Sequence, residues 1–202
     1  MTAGDLPPVP VAVIVGSTRD DRIGGRVGEW FVREVEAHGG FGVDVIDLQE
    51  IDAALPERLP AGHPARGDYP PEVRPLADRI AAADGFVLVT PEYNHGYPGS
   101  LKDAIDLVNA EWRAKPVAYV SYGGLSGGIR AVEQLRQVMV ELHTVSIRDS
   151  VHLQFAPRAF REGTVPDDPD GMIADGVRAL LRRLDWWARA LARARADAPY
   201  DG

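Results

Sequence analysis

The 202-residue sequence predicts one α/β domain, built from a parallel sheet with helices on both faces. Five short apolar runs rich in β-branched residues alternate with amphipathic helical patterns, which is typical of strands buried on both faces. The composition, 45% hydrophobic and 26% charged residues, is that of an ordinary globular protein. No change in composition divides the chain, so we expect a single domain over residues 1–202, with a disordered tail at 1–8 and a flexible tail at 195–202.

The apolar runs and the helical spacing locate the individual elements. The predicted strands are 11–15, 43–47, 86–90, 117–122 and 144–151. The predicted helices cover about 27–35, the stretch from Pro71 to Ile80, a segment opened by Pro98, then 129–142 and 172–194. Two long loops, 48–71 and 154–171, remain, and loops of this length in a small domain are usually functional or mobile.

Charge and cysteine content exclude several classes of function. The net charge is −8 with no basic block, so binding to a nucleic-acid backbone is not expected. The chain has no cysteine, which excludes disulfides, thiolate nucleophiles and cysteine-ligated metal sites. The N-terminus lacks a positive region, and the apolar run 11–15 is too short for a secretory signal or a membrane span. We therefore expect a cytoplasmic protein with no membrane partner, whose redox chemistry, if any, comes from a bound cofactor.

The most informative segment is 91–106, PEYNHGYPGSLKDAID, directly after the apolar run 86–90. Pro91 ends the strand because it has no N–H to donate, and the polar residues up to Gly99 cannot continue a ladder. Leu101, Ala104 and Ile105 follow at helical spacing. Strand, loop and helix in this order form a ligand site in open parallel sheets, where ligands lie beyond the carboxyl ends of the strands.

A second candidate site follows the first predicted strand. Gly16-Ser17-Thr18-Arg19 and the glycines Gly24-Gly25 lead into the first helix. Backbone N–H groups, hydroxyls and the positive helix end suit a phosphate group, and arginine adds a charge-assisted contact. An ordinary turn capped by Ser and Thr explains the tetrapeptide equally well on physical grounds. No Walker loop and no Gly-x-Gly-x-x-Gly fingerprint is present, which disfavours nucleoside triphosphatases and Rossmann dehydrogenases.

Together these two segments resemble the NADPH-dependent FMN reductase family, whose signature is Pro-Glu-Tyr-Asn, three variable residues, Pro-Gly and a Leu-Lys-Asn-Ala-Ile-Asp helix start. The one departure within that run is Asp103 in place of Asn. The resemblance covers about residues 9–150, and the rest only in general layout. It implies a flavodoxin-like three-layer sandwich with a five-stranded parallel sheet in the order 2-1-3-4-5.

The resemblance also implies which residues hold FMN. Ser17 and Arg19 would hold the phosphate with the help of Thr18, in the turn that leads to Gly24. Arg22 would be a second phosphate ligand or would meet the 2′-phosphate of NADPH. The remaining implied positions are Pro91, Glu92, Tyr93 and Asn94 at the isoalloxazine edge, much of it through backbone groups, and Tyr122, Gly123 and Gly124 at the pyrimidine end.

Several of these positions have alternative interpretations. Tyr93 could be a buried loop anchor, and Glu92 a solvated charge. Arg130 matches a family arginine that joins subunits in some members, and it could equally be a solvated helix charge. His95 and Tyr97 could flank the nicotinamide or the acceptor, but histidines in loops are more often simply exposed, so His95 is not among the predicted site residues. The 48–71 loop could border the cofactor phosphate or a subunit interface.

The implied activity is that of an NAD(P)H-dependent FMN oxidoreductase. Hydride passes from NADPH or NADH to bound FMN in a ping-pong order, and free flavin, a quinone, an azo compound or a metal oxyanion then takes the electrons. The cofactor carries the chemistry, so no catalytic acid–base side chain and no metal site are expected. Relatives build the site at a subunit interface, which implies a homodimer or homotetramer.

Three other functions compete with this one. A flavodoxin-type electron carrier shares fold and cofactor but turns over no substrate. A flavin-free binding module would keep the fold alone. Residues 124–128 also match the Gly-x-Ser-x-Gly elbow of α/β-hydrolases, with Ser126 as nucleophile. The histidines downstream, His143 and His152, lie in or beside the last predicted strand with Asp149 close by, so the hydrolase is the weakest of the three.

Overall fold

The structure is a computed structural model that describes residues 6–51, 55, 67–161 and 168–201. The strands are β1 (Val9–Val15), β2 (Phe41–Asp47), β3 (Gly85–Pro91), β4 (Pro116–Tyr122) and β5 (Val145–Leu153). The helices are α1 (Gly24–His38), α2 (Leu48–Ile51), α3 (Arg74–Ala82), α4 (Gly99–Asp106), α5 (Ile129–Glu141), α6 (Ala156–Arg161) and α7 (Met172–Asp197), with a 3₁₀ turn at Ala110–Trp112.

The five strands form one parallel sheet in the order β2-β1-β3-β4-β5. This confirms the predicted flavodoxin-like fold. The register aligns the strand ends, since Val15 pairs with Val89, Pro91 with Tyr122, and Tyr122 with Leu153. The turns that follow β1, β3 and β4 therefore leave the sheet side by side at its carboxyl rim.

Two hydrophobic clusters cover the sheet, one on each face. On one face α1 and α7 pack against the strands through residues such as Phe31 and Leu180. On the other face α3, α4 and α5 contribute residues such as Ile80, Leu101 and Leu135. Every residue of β3 and β4 is buried, which explains why these strands appear in the sequence as unbroken apolar runs.

Most predicted elements are confirmed within a few residues, and the differences have local causes. Helix α3 begins at Arg74 rather than near Pro71, because residues 71–73 form a turn. The predicted loops contain the short helices α2 and α6, while residues 52–54, 56–66 and 162–167 of these loops lie outside the described residues. No helix in the described ranges combines the length and apolar character needed to cross a bilayer.

The predicted tails need one correction. Helix α7 continues through Arg195 to Asp197, because Arg195 pairs with Asp84 at 2.5 Å and donates to the carbonyl of Ala114 at 2.6 Å. The tail predicted from residue 195 therefore begins later. At the other end, residues 1–5 lie outside the described residues, while the carbonyl of Pro7 accepts a hydrogen bond from Arg189 at 3.0 Å.

Candidate functional site

Three turns meet at the carboxyl rim of the sheet: turn 1 (16–23, after β1), turn 2 (92–98, after β3) and turn 3 (123–128, after β4). Turns 1 and 2 are joined by the hydroxyls of Ser17 and Tyr93, 2.6 Å apart. The N–H of Glu92 donates to the carbonyl of Tyr122 at 3.1 Å and connects turn 2 to the end of β4. The structure thus brings the predicted site residues of all three segments together.

Turn 1 presents unpaired donors next to a positive charge. Ser17 is buried, Thr18 is half-buried and Arg19 is exposed. The backbone N–H groups of these three residues donate to no acceptor within the described ranges. The Arg19 guanidinium carbon lies 3.8 Å from the centre of the Tyr93 ring, so a cation–π contact holds the charge at the mouth of the turn. This arrangement suits an anion.

Arg22 is fixed inside the protein. Its side chain is only 9% exposed, and Nη2 pairs with Asp47 at 2.6 Å while Nε donates to Gln49. Nη1 is buried and has no partner among the described residues. Gln49 could not be predicted as a site residue, because it belongs to α2, a helix too short to show periodicity. Gln49 brings the start of the 48–71 loop against turn 1.

Turn 2 is a tight turn in which some of the backbone N–H groups expected to face the cofactor donate to protein carbonyls instead. Tyr93 and Gly96 exchange two backbone hydrogen bonds of 2.8 and 3.0 Å, and Asn94 and His95 both have positive φ, at 50° and 71°. The N–H groups of Glu92 and Tyr93 are therefore engaged within the protein. The N–H groups of Asn94 and His95 have no acceptor in the described part of the chain. The backbone N–H groups that remain free for the predicted cofactor contacts are those of these two exposed residues.

Glu92 is not a solvated charge. Its side chain is 6% exposed and pairs with Arg130 at 2.5 Å, and it also accepts the backbone N–H of Arg130 at 3.1 Å. Burial opposes ionisation, but hydrogen bonds from Arg130 and Ser126 outweigh it and hold the pKa of Glu92 below its usual range. Arg130, left open in the sequence interpretation, therefore connects α5 to turn 2 within one chain.

Turn 3 is shaped by glycine. Gly127 and Gly128 have φ of 61° and 90°, and a Cβ on Gly128 would lie 2.7 Å from that of Ser121. Gly124 is exposed, with nothing within 4 Å of its Cβ position, and its N–H has no acceptor in the described ranges. Gly123 instead donates to the carbonyl of Leu153 at 3.2 Å. An open glycine beside an unpaired N–H allows a flat ring to approach closely.

Tyr122 lies elsewhere than predicted. Its ring belongs to the hydrophobic cluster under α1, and its hydroxyl lies 2.6 Å from the position that a Cβ on Gly24 would occupy. The side chain therefore points toward turn 1 rather than over turn 3. The close approach also explains the glycine at position 24, since any side chain there would displace the hydroxyl.

The hydrolase triad is not assembled. His152 Nδ1 lies 2.7 Å from the Ser121 hydroxyl, and Nε2 lies 2.8 Å from the Ser150 hydroxyl, so both ring nitrogens have partners other than Ser126. Asp149 pairs with Arg183. His143 contacts Tyr200 at the opposite end of the sheet. The Ser126 hydroxyl instead belongs to the hydrogen bonds of turn 3, with the N–H of Gly128 at 3.4 Å.

The rim matches the chemistry of FMN at both ends. Turn 1 offers unpaired N–H groups, the Arg22 Nη1 and the N-terminus of α1 to a phosphate. Turns 2 and 3 offer unpaired N–H groups and an open glycine to a flat ring with acceptor atoms at its edge. In the described ranges, no three His, Asp or Glu side chains are grouped so as to hold a metal ion.

Comparison with known proteins agrees with this chemistry. The family model for NADPH-dependent FMN reductases matches residues 9–158. An NAD(P)H-dependent FMN reductase of Schizosaccharomyces pombe is 37% identical over 131 residues, which cover 63% of this chain and 64% of that protein, less than two thirds of its length. A probable NADPH:quinone oxidoreductase of rice (Oryza sativa subsp. japonica) is 30% identical over 192 residues, 90% of this chain and 91% of that protein.

A solved structure gives the same result. FerB, a flavoenzyme NAD(P)H:(acceptor) oxidoreductase from Paracoccus denitrificans, superimposes with a TM-score of 0.67 and 27% sequence identity. The superposition covers 90% of this chain and 98% of FerB. Sequence and structure comparisons thus point to one group of proteins.

Proposed function

The chain belongs to the NADPH-dependent FMN reductase family, and we propose that it is an FMN-dependent NAD(P)H oxidoreductase that reduces a small-molecule acceptor. The observation that carries this proposal is the convergence of turns 1, 2 and 3 on one rim, with donors that no described residue satisfies. When bound, FMN would accept hydride from NADPH or NADH and pass the electrons to the acceptor.

The residues of the chain then have binding and orienting roles. Ser17, Thr18, Arg19 and the Arg22–Gly24 segment would hold the phosphate. The N–H groups of Asn94 and Gly124 would fix the ring edge. Pro91 ends β3, and the Glu92–Arg130 ion pair, Tyr93 and Gly123 keep the turns in place from behind. No side chain of the rim is required as an acid or base.

The acceptor is proposed to be a quinone or another flat, electron-poor molecule, in ping-pong order after the nicotinamide leaves. The name of the rice relative, an NADPH:quinone oxidoreductase, supports a quinone, and free flavin, azo compounds and metal oxyanions are further candidates. The rim is open enough for this, because Asn94, His95 and Gly124 are all exposed. We place the protein in the cytoplasm, acting without nucleic acid or membrane.

We also propose that the protein is a homodimer or homotetramer. Leu125, Ile129 and Phe155 are 75%, 47% and 59% exposed, and they cluster at turn 3, where the N–H of Phe155 donates to the carbonyl of Gly124. Exposed apolar side chains grouped in this way commonly mark a contact surface. Light scattering during gel filtration gives the mass directly, and a monomer at micromolar concentration would refute this part.

A visible spectrum of the purified protein, followed by anaerobic addition of NADPH and NADH, tests the main proposal. We expect a flavin absorption band that one or both nicotinamides bleach and that a quinone restores. A flavin band that neither donor bleaches would instead indicate a flavodoxin-type electron carrier. A colourless protein that takes up no FMN would indicate a flavin-free binding module.

A further inference from the structure

Two buried polar groups near turn 1 have no partner. In the described part of the chain, the buried side-chain atoms without a hydrogen bond are Arg22 Nη1, the Tyr122 hydroxyl and Asp149 Oδ2. The Arg22 side chain is 9% exposed and Tyr122 is 4% exposed. A buried polar group without a partner costs free energy, so two of them at one place require an explanation.

Both groups flank the first residues of α1. The Tyr122 hydroxyl lies 2.6 Å from the Cβ position of Gly24, and the Arg22 guanidinium lies 3.8 Å from the Cβ position of Gly25. Helix α1 has 15 residues, and its N-cap residue, Ile23, has no capping side chain. The two side-chain donors therefore flank the free N–H groups of the first turn.

The groups without a partner can all donate a hydrogen bond and therefore favour a ligand rich in acceptors, although Asp47 already pairs with Nη2 of Arg22. Arginine can only donate, and the helix N-terminus carries a partial positive charge. Burial raises the pKa of Tyr122 above its usual value, so its phenol keeps its proton at neutral pH and can donate. The neighbouring Ser17 hydroxyl is engaged with Tyr93, and its proximity lowers the Tyr122 pKa by less than burial raises it. The N-terminus of α1 with these donors is suited to an anion with several acceptor oxygens.

We propose that Tyr122 is a phosphate-binding residue, whose hydroxyl reaches from the end of β4 to the FMN phosphate at turn 1. This inference rests on the proposed FMN site. It differs from the sequence prediction in one contact: Tyr122 binds the phosphate of the cofactor and not the pyrimidine end of its ring. Its consequence is that Tyr122 distinguishes FMN from riboflavin, which lacks the phosphate.

The test measures the affinity of the flavin-stripped full-length protein for FMN and for riboflavin by quenching of flavin fluorescence. Tyr122→Phe should raise the Kd for FMN about tenfold or more, the usual effect of losing a hydrogen bond to a charged partner. The Kd for riboflavin should stay unchanged. Inorganic phosphate should compete with FMN less effectively in the variant than in the wild type.

Tyr119→Phe is the matched control. Tyr119 is a fully buried tyrosine of the same strand, but it lies on the opposite face of the sheet with its hydroxyl 2.6 Å from that of Ser146. Loss of the Tyr119 hydroxyl should change neither the Kd for FMN nor the Kd for riboflavin. The thermal stability of flavin-free Tyr122→Phe should equal or exceed that of the wild type, because the variant removes a buried hydroxyl without a partner.

The outcomes separate this inference from the proposed function. Equal loss of FMN and riboflavin affinity, or no loss of either, would overturn the role of Tyr122 while leaving the FMN site in place. A wild-type protein that binds neither flavin would refute the FMN site itself. If Tyr122→Phe does not fold, 3-fluorotyrosine incorporated at position 122 provides the second test: its fluorine resonance should shift on addition of FMN and of inorganic phosphate but not of riboflavin, and a resonance that none of them shifts would overturn the role of Tyr122.

Discussion

The two rims of the same sheet differ in how their polar groups are paired. The amino rim is the edge at which the strands begin. Near the start of β4 and β5 it has a cavity of about 450 Å³, with an apolar wall that includes Val140 and Leu191. Its polar groups have partners: His143 contacts Tyr200 at 2.9 Å, and Arg195 pairs with Asp84. The carboxyl rim has unpaired N–H groups and two buried side-chain donors without partners. The rim with unpaired donors, and not the rim with this cavity, is therefore the one that we propose as the FMN site.

The first prediction tests whether the carboxyl rim is held in shape before any ligand binds. Arg22→Ala should lower the free energy of unfolding of the flavin-free protein by about 3 to 5 kcal/mol, because Asp47 would stay largely buried without its partner. Urea denaturation measures this. Arg79→Ala is the control: its pair with Asp44 is partly exposed, so the loss should be below about 1 kcal/mol. Equal losses of unfolding free energy in the two variants would show that the buried Arg22–Asp47 pair stabilises the protein no more than the partly exposed Arg79–Asp44 pair.

The second prediction concerns the amino rim and its pH dependence. Burial, with Arg195 acting in the same direction, lowers the pKa of Lys115 to about 8. Between pH 8 and about 10.4 the unfolded chain holds a proton that the folded chain has released, so stability rises with pH in this window. Relative to Lys115→Met, the wild type should gain up to about 3 kcal/mol of unfolding free energy from pH 7 to 10.5.

Measuring the difference between wild type and variant removes the contribution of other titrating groups. Lys115 also donates hydrogen bonds to the carbonyls of Ile80 and Ala81, both 2.9 Å. Their loss in the variant changes the unfolding free energy by an amount that we take to be constant with pH. The affinity for FMN should be the same in both proteins. If the difference in unfolding free energy between wild type and variant does not change with pH, the lowered pKa of Lys115 is wrong.

The third prediction tests turn 1 directly. Arg19→Ala should weaken FMN binding by about 1.5 to 3 kcal/mol, the usual contribution of a hydrogen bond to a charged group, with little change in stability because Arg19 is exposed. Arg113→Ala, before β4 at the amino rim, should leave the affinity unchanged. Unchanged FMN affinity in Arg19→Ala, measured by fluorescence titration, would rule out Arg19 as a phosphate ligand.

Local patterns in the sequence were enough to predict the strands of the sheet and the turns that follow β1, β3 and β4. Strands such as β3 and β4 are buried along their whole length, so their apolar runs identify them without ambiguity. Proline and glycine mark the turns at Pro91 and Gly99. The order of the strands came from the family resemblance, because apolar runs alone do not specify which strands are neighbours.

What could not be predicted depends on contacts distant in sequence. Arg22 and Asp47 are 25 positions apart and meet only because β1 and β2 are neighbours. The Glu92–Arg130 pair spans 38 positions in the same way. The direction of Tyr122 depends on strand register, since a shift of one residue would place its ring on the other face. Side-chain partners at the rim therefore required the structure.

The last prediction distinguishes the two functions that the sequence allows for turn 3, flavin binding and ester hydrolysis by Ser126. Ser126→Ala should leave the rate of NADPH oxidation within about twofold of the wild type, because the lost hydroxyl contributes only hydrogen bonds that hold the turns, to the N–H of Gly128 and to Glu92. Neither protein should hydrolyse p-nitrophenyl acetate above the background rate. His152 cannot serve as the base for Ser126 while Ser121 and Ser150 occupy its nitrogens. An esterase activity that disappears in Ser126→Ala would require this arrangement to change and would restore the hydrolase interpretation.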